Sequence, residues 1–542
     1  MRTNKKMILL ISIFLLLAYI PFIETNNPIM NSDQTELNGL RISTTYTSQV
    51  IIDATNPTND WDVAKSAGIC TGTGTAGDPY IISNHLFNMS SSVNCLQILN
   101  SREYFRVLNC EFISSGLTAG LYIVNTTNGL IQDNQANGMF VNLYIENCTD
   151  FTFRNNNCSK GGVGVLLTDS SRLSFYDSIV NGNGGDGFNL DNCKDCLFQD
   201  NTVIGNGDNG FYALTSESLN FLSNTIINST NDGIRIENSH KNEVKLNTLK
   251  GNLYGIHLIS SSANNSILQN TANSNNGNGI YSSGCDNNWY IDNICNNNRG
   301  EGIYLTTSDN SVVSGSIAYN NTGNGIRSNS NVNITISNNE AYHNYQNGIR
   351  LYNTDQSIIE DNNAHHNNWD GIRIRNGCQQ NIIKGNLAEF NNISGIYLYS
   401  STDNNLIIDN TATNNEQHGI FLQTADNNIL TSNTANNNKQ NGIHLLSSNG
   451  NTIMNNIANN NHNGTYLDTS NNNIIFGNTF LNNIVCYNET GSSGNLYEDN
   501  ICQASQLPGP GIDWSMILLI ISISEAVAIA VLITILIVRR RK

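Results

Sequence analysis

The chain has 542 residues, 43 of them acidic and 26 basic, with a formal net charge of −17 and 12 cysteines. So acidic a chain, with so few basic residues, argues against nucleic acid as a partner. Asn supplies 99 residues, but they recur at fixed positions, which speaks for a built structure and against disorder.

Residues 1–25 open with Arg2, Lys5 and Lys6, followed by an apolar run from Met7 to Ile20. They read as a secretory signal or as an uncleaved N-terminal anchor. Residues 26–78 form an N-terminal segment and cap. From 79 to 503 the chain repeats about every 23 residues around a Gly-apolar-x-apolar tetrad: GFNL at Gly187, GIRI at Gly233, GIYL at Gly302, GIRL at Gly348, GIFL at Gly419. A second column in step carries Asn201, Asn224, Asn247, Asn270, Asn293, Asn339, Asn362, Asn386, Asn410, Asn433, Asn456 and Asn478, with Ser316 on one rung and usually Ala two residues later. Identical Asn residues stacked about 4.8 Å apart bond amide to amide along the axis.

Each unit offers two or three short apolar alternations bounded by Asn, Gly and Ser, the pattern of strands. No unit buries its own apolar face, so neighbouring coils must stack. The expected fold is all-β: a right-handed parallel β-helix of roughly 23-residue coils, about 80 Å long at the usual strand spacing. Residues 504–513, with Leu507-Pro-Gly-Pro-Gly511, read as a linker. Residues 514–538 read as one transmembrane helix, with 539–542 as a basic cytoplasmic tail. Glu525 lies within that span, a functional flag or a protonated passenger. These ends place the β-helix outside a single-pass membrane anchor. The 11 Asn-x-Ser/Thr sequons of the chain, Asn333 and Asn392 among them, suit an exported glycoprotein.

The GI-x-L and Asn-x-Ala repeats resemble the parallel β-helix repeats of the pectate-lyase-like superfamily. The segment GTGTAGDPYIIS, Gly72 to Ser83, resembles the N-terminal motif of its NosD-like branch, the periplasmic copper-binding β-helix proteins. The resemblance implies the fold over most of the chain. It specifies no reaction.

In GI-x-L the apolar residues face inward, which leaves the x column to solvent. From Tyr281 that column reads Tyr281, Tyr304, Arg327, Arg350, Arg373, Tyr397 and Phe421. Aromatic faces stack on sugars and Arg pairs with carboxylates or sulfates, so these seven residues are the expected ligand-binding stripe. Strand propensity alone accounts for Tyr and Phe but not for the Arg run. For catalysis the chain has no Asp-Asp pair and no Gly-His-Gly. Arg350, Arg373 and Asp370, near Arg375 and Asp355, are the only cluster suited to a lyase working beside Ca²⁺. His343 and His366, one coil apart with His365 adjacent, are the candidate ligands for Cu²⁺ or Zn²⁺; solvated turn residues are the competing reading. Cys486 and Cys502 are the expected disulfide. The lone Cys193-x-x-Cys196 is a weak metal or redox signal, and Cys148, Cys158, Cys285 and Cys295 read as small inward residues.

The expected function is a cell-surface, membrane-anchored β-helix that binds carbohydrate or other envelope polymers, without a cofactor. The alternatives are a polysaccharide lyase or hydrolase, a NosD-like copper-related accessory protein, and a structural spacer.

Overall fold

The computed structural model describes residues 42–504 except 91, 115 and 117. The chain divides into units 1–42 and 43–542, and the architecture below is that of the second.

From Ser43 the backbone winds through about 18 turns, laying one short strand per turn on each of three sheets. The coil that starts at Gly302 shows the pattern. Ile303–Thr306 pairs in parallel with Ile280–Ser283 below and Ile326–Asn329 above. Val312–Ser314 pairs with Trp289–Ile291 and Thr335–Ser337. Ile317–Tyr319 pairs with Ile294–Asn296 and Glu340–Tyr342. Alternation sends Ile303, Leu305, Val313 and Ala318 inward, each at most 1 % exposed, while Tyr304 and Tyr319 point out. The N-terminal part of the core is a column of stacked rings, Phe153, Phe175, Phe198 and Phe221; further along, Ile, Leu and Ala fill it.

The anchor glycine is a matter of close approach. A Cβ at Gly302 would lie 2.5 Å from the Gly325 carbonyl oxygen and 2.9 Å from the Ala318 Cβ. The Gly and Ala columns are one packing solution over these coils; nearer the N-terminus a larger side chain takes the Ala place, as Ile226 does against Gly210, and the glycine is kept.

The Asn column forms the expected ladder. Asn339 donates from Nδ2 to Asn362 Oδ1 at 3.0 Å, and Asn362 to Asn386 at 2.9 Å. Each Oδ1 also accepts the backbone N–H of the coil below, and Nδ2 reaches a backbone carbonyl as well, as Asn339 does at Val313. Two further buried ladders run beside it, Asn344–Asn367–Asn391–Asn415 and Asn381–Asn405–Asn428–Asn451. Together they satisfy the backbone groups that a tight corner orphans. Corner residues such as Asn338 (φ 56°) and Asp361 (φ 54°) adopt the left-handed region that Asn and Asp tolerate.

A six-residue helix, Trp61–Ser66, closes the N-terminal end of the core. Asp60 caps it, and the buried Trp61 stacks on Tyr80 with ring centroids 4.6 Å apart. At the other end Cys486 and Cys502 form a disulfide. Among the described residues no helix is long and apolar enough to cross a membrane. Ala504, expected as the first linker residue, ends the strand Ile501–Ala504; the N-terminal signal, the rest of the linker, the 514–538 span with Glu525 and the basic tail lie outside the described residues.

Candidate functional site

The x column is brought into one continuous ladder on the GI-x-L sheet. Tyr281 pairs in register with Tyr304, then Arg327, Arg350, Arg373, Tyr397 and Phe421. Because the coil rise is close to a ring-stacking distance, the side chains stack on one another. Tyr281 and Tyr304 lie 5.1 Å apart at 19°, and Tyr397 and Phe421 4.6 Å apart at 10°. The Arg327 guanidinium sits 4.5 Å above the Tyr304 ring, and that of Arg373 4.9 Å from Tyr397. Ring faces are thus occupied by neighbours. What the stripe offers a ligand is its edges, hydroxyls and guanidinium groups, so the expected stacking of sugars on open aromatic faces has no place along it. Tyr397 is itself buried, and its hydroxyl bonds to Gln423.

Three arginines in register meet only two buried acids. Arg327 pairs with Glu301 at 3.1 Å and Arg373 with Asp370 at 3.5 Å. Arg350, between them, has no acidic partner among the described residues. The Nε atoms of all three are buried without a hydrogen-bond partner. Burial, then the like charges of Arg327, Arg375 and Arg373, push the Arg350 pKa down. Tyr352, Arg375 and Tyr399 flank the run, with Arg375 5.7 Å from the Tyr352 ring and 5.4 Å from that of Tyr399. The two tyrosines escape a reading confined to the x column, although they occupy the next outward position of the same strands. Asp370 is fully buried; burial pushes its carboxyl up to about 6 against the pull of Arg373, and its Oδ1 accepts the Ser394 N–H. Asp355 accepts the Gln379 N–H at a corner and belongs to the coil-to-coil bonding.

Two histidines of the same column acquire partners that spacing does not reveal. His257 Nδ1 lies 2.7 Å from Oδ2 of the buried Asp232, and its ring stacks on Tyr281. His444 Nδ1 lies 3.3 Å from His418 Nε2; burial lowers these two pKa values to about 4 and about 3.

His343 and His366 stand on successive coils of a different face, ring centroids 5.3 Å apart, both in left-handed corners. His365 Nδ1 lies 2.8 Å from His366 Nδ1, while its Nε2 is turned 3.3 Å from Glu340. Only two nitrogens converge there, and among the described residues no three His, Cys, Asp or Glu side chains are placed to hold one ion. Ten cysteines, Cys193 and Cys196 among them, are buried free thiols. Desolvation pushes Cys196 up to about 11 and Cys148 to about 12, far from the thiolate that binds metal.

The model of the family described as periplasmic copper-binding protein (NosD) matches residues 99–290 and 363–507, and that of the right handed beta helix region matches 255–412. No curated protein matches. Among solved structures, the chain is similar to the A-module of the mannuronan C-5 epimerase AlgE6 of Azotobacter vinelandii, at 12 % identity over 66 % of this chain and 91 % of that one, TM-score 0.36. It is similar to the periplasmic alginate epimerase AlgG at 14 % identity over 67 % and 78 %, TM-score 0.35. It is also similar to tailspike protein 3 of bacteriophage CBA120 at 9 % identity over 60 % and 55 %, TM-score 0.36. Protein-bound copper requires several converging nitrogen or sulfur donors. Among the described residues imidazoles converge only in pairs, His365 with His366 and His418 with His444, and the thiols are deeply buried, a donor set that does not fit a resident copper ion. The fold and the matched length nonetheless settle kinship: the chain belongs to the NosD family of right-handed parallel β-helix proteins.

Proposed function

We propose that this protein binds an acidic polysaccharide along the Tyr281–Phe421 stripe, and that the apolar segment 514–538 with its basic tail holds the β-helix at the outer face of a membrane. One observation carries the binding reading. Arg350 is half-buried between two like charges and has no acid of its own, on a chain whose net charge is −17. An uncompensated, partly desolvated guanidinium is a costly arrangement that a carboxylate or sulfate relieves by a charge-assisted, bidentate contact. The Tyr hydroxyls and the spare edges of Arg327 and Arg373 add hydrogen bonds on neighbouring coils.

Titration of the full chain with polygalacturonate, alginate and heparin, against neutral dextran, tests this. At least one acidic polymer should bind, weaken with added salt, and lose tenfold or more in affinity in Arg350→Ala, about 1.4 kcal/mol. Equal binding of dextran, or undiminished binding after Arg327, Arg350 and Arg373 are all replaced by Ala, would falsify the assignment.

A second reading, polysaccharide lyase, is favoured by the Asp232–His257 pair. A polymer lying along the stripe passes this imidazole, which the carboxylate holds in one orientation. It would take the proton beside a uronate carboxylate; the electron pair left behind forms a carbon–carbon double bond as the glycosidic bond breaks, and the imidazolium returns the proton to the departing sugar oxygen. Unsaturated ends released from polygalacturonate and lost in His257→Gln would support it. An intact polymer after prolonged incubation with the unaltered chain counts against it.

A further inference from the structure

Away from the arginine face, the outer side of the Asn-x-Ala sheet carries a groove of about 720 Å³ that spans three coils. Its walls are Tyr319, Tyr342, Asn320, Thr322, Tyr345 and Asn368, with His343 and His366 at the corner. Tyr319 and Tyr342 are tied up in a stack, ring centroids 4.9 Å apart, that continues to His365. Tyr345 is different. It is 61 % exposed, makes no ring pair among the described residues, and the groove residues Thr322 and Asn368, at the same place one coil below and above, are too small to cover its faces. A large aromatic with free faces at the rim of a concave surface contributes nothing to the core, and its faces are open to a ligand.

The polar groups beside it are half-used. Asn320 donates from Nδ2 to Asn297 at 2.5 Å, which leaves its Oδ1 as an acceptor. Asn368 accepts at Oδ1 from Asn392 at 2.7 Å, which leaves its Nδ2 as a donor. The lining holds no Asp, Glu, Lys or Arg. An open ring face, paired donors and acceptors, no charge and a volume within the small-ligand range describe one chemistry: hydroxyl-rich, uncharged, with an apolar face.

We infer that this groove is a second, separate binding site, for a neutral oligosaccharide stacked on Tyr345. The inference is independent of the acidic-polymer reading, because none of its residues lies on the arginine stripe.

Calorimetric titration of the full chain with cellohexaose, mannohexaose and chitohexaose tests it. At least one should bind, weaken tenfold or more in Tyr345→Ala, and be restored by Tyr345→Phe, which keeps the ring. Five results overturn it. None of the three binds at millimolar concentration; or Tyr345→Ala leaves affinity unchanged. Binding disappears in Arg350→Ala instead, which would place the sugar on the other face. Or Cu²⁺ binds stoichiometrically in a His366-dependent manner while no saccharide does, which would make the corner a metal site. Asn320 begins an Asn-x-Thr sequon, so mass spectrometry that finds a glycan attached there would equally exclude a free groove.

Discussion

Asp370 and Asn347 occupy the same rung of successive coils and do the same structural work. Asn347 Oδ1 accepts the Asp370 N–H, and Asp370 Oδ1 accepts the Ser394 N–H. An amide suffices for that bond, so the carboxylate of Asp370 is a buried charge whose only counterion among the described residues, Arg373, stands 3.5 Å away. Its pKa of about 6 against an ordinary 3.8 means that the ionised form is disfavoured in the fold. The folded state therefore takes up the proton first on acidification. This group adds stability as pH falls from about 6 to about 3.8, and it costs roughly 3 kcal/mol above that window. Asp370→Asn should raise stability at pH 7 and erase this contribution; urea denaturation at pH 7 and pH 5 of both proteins measures it. His418 and His444 act in the opposite sense. Their depressed pKa values mean that the unfolded chain protonates first below its ordinary 6.5. Stability then falls by about 1.4 kcal/mol per pH unit for each imidazole until pH nears 4. His418→Asn, with the residue that Asn441 already supplies one coil on, should flatten that loss in the same titration, and a slope equal to that of the unaltered chain would sink the argument.

At the scale of the element, the Asn ladder is what makes a corner this tight affordable to bury. Asn362 Oδ1 accepts the Asn339 N–H, and its Nδ2 donates to the Ile336 carbonyl at 2.8 Å. Asn362→Ala orphans both backbone groups and should cost about 2–5 kcal/mol. Asn362→Ser should cost less, since Ser316 on the same column accepts the Asn293 N–H with its hydroxyl. The midpoint of chemical denaturation ranks the three. This ladder was legible because its column is nearly unbroken and sits beside an Ala column. The other two were hidden among adjacent asparagines with different fates: in Asn320-Asn321, the first is a left-handed corner and the second an inward rung. The GI-x-L column showed which residues share a face, but not that stacking would close their ring faces. That depends on the coil rise matching a ring separation, which no residue type records. Asp232 and His257 belong to different columns on different coils, so their contact arises from geometry alone.

At the scale of the molecule, a stack in which each coil touches only its neighbours is no more secure than its ends. The N-terminal end is plugged by apolar packing: Trp61 is buried against Tyr80 and Phe105, and its Nε1 donates to Ser101 Oγ at 2.9 Å. The described C-terminal end has no such plug. Leu496 is 47 % exposed and Ile501 60 % exposed, and the last strands are tied by Cys486–Cys502 across 16 residues of sequence. Closing a loop of that length stabilises by about 3 kcal/mol through the unfolded state. Most of that should act locally, because coils far from the end gain nothing from the bond. Reduction should therefore raise amide exchange first in residues 474–504 and leave 233–305 unchanged. The ten remaining thiols are buried, so an alkylating reagent applied under native conditions should label two cysteines after reduction and none before. Uniform acceleration of exchange along the whole solenoid would show instead that the coils unfold as one cooperative body, with the disulfide stabilising all of it.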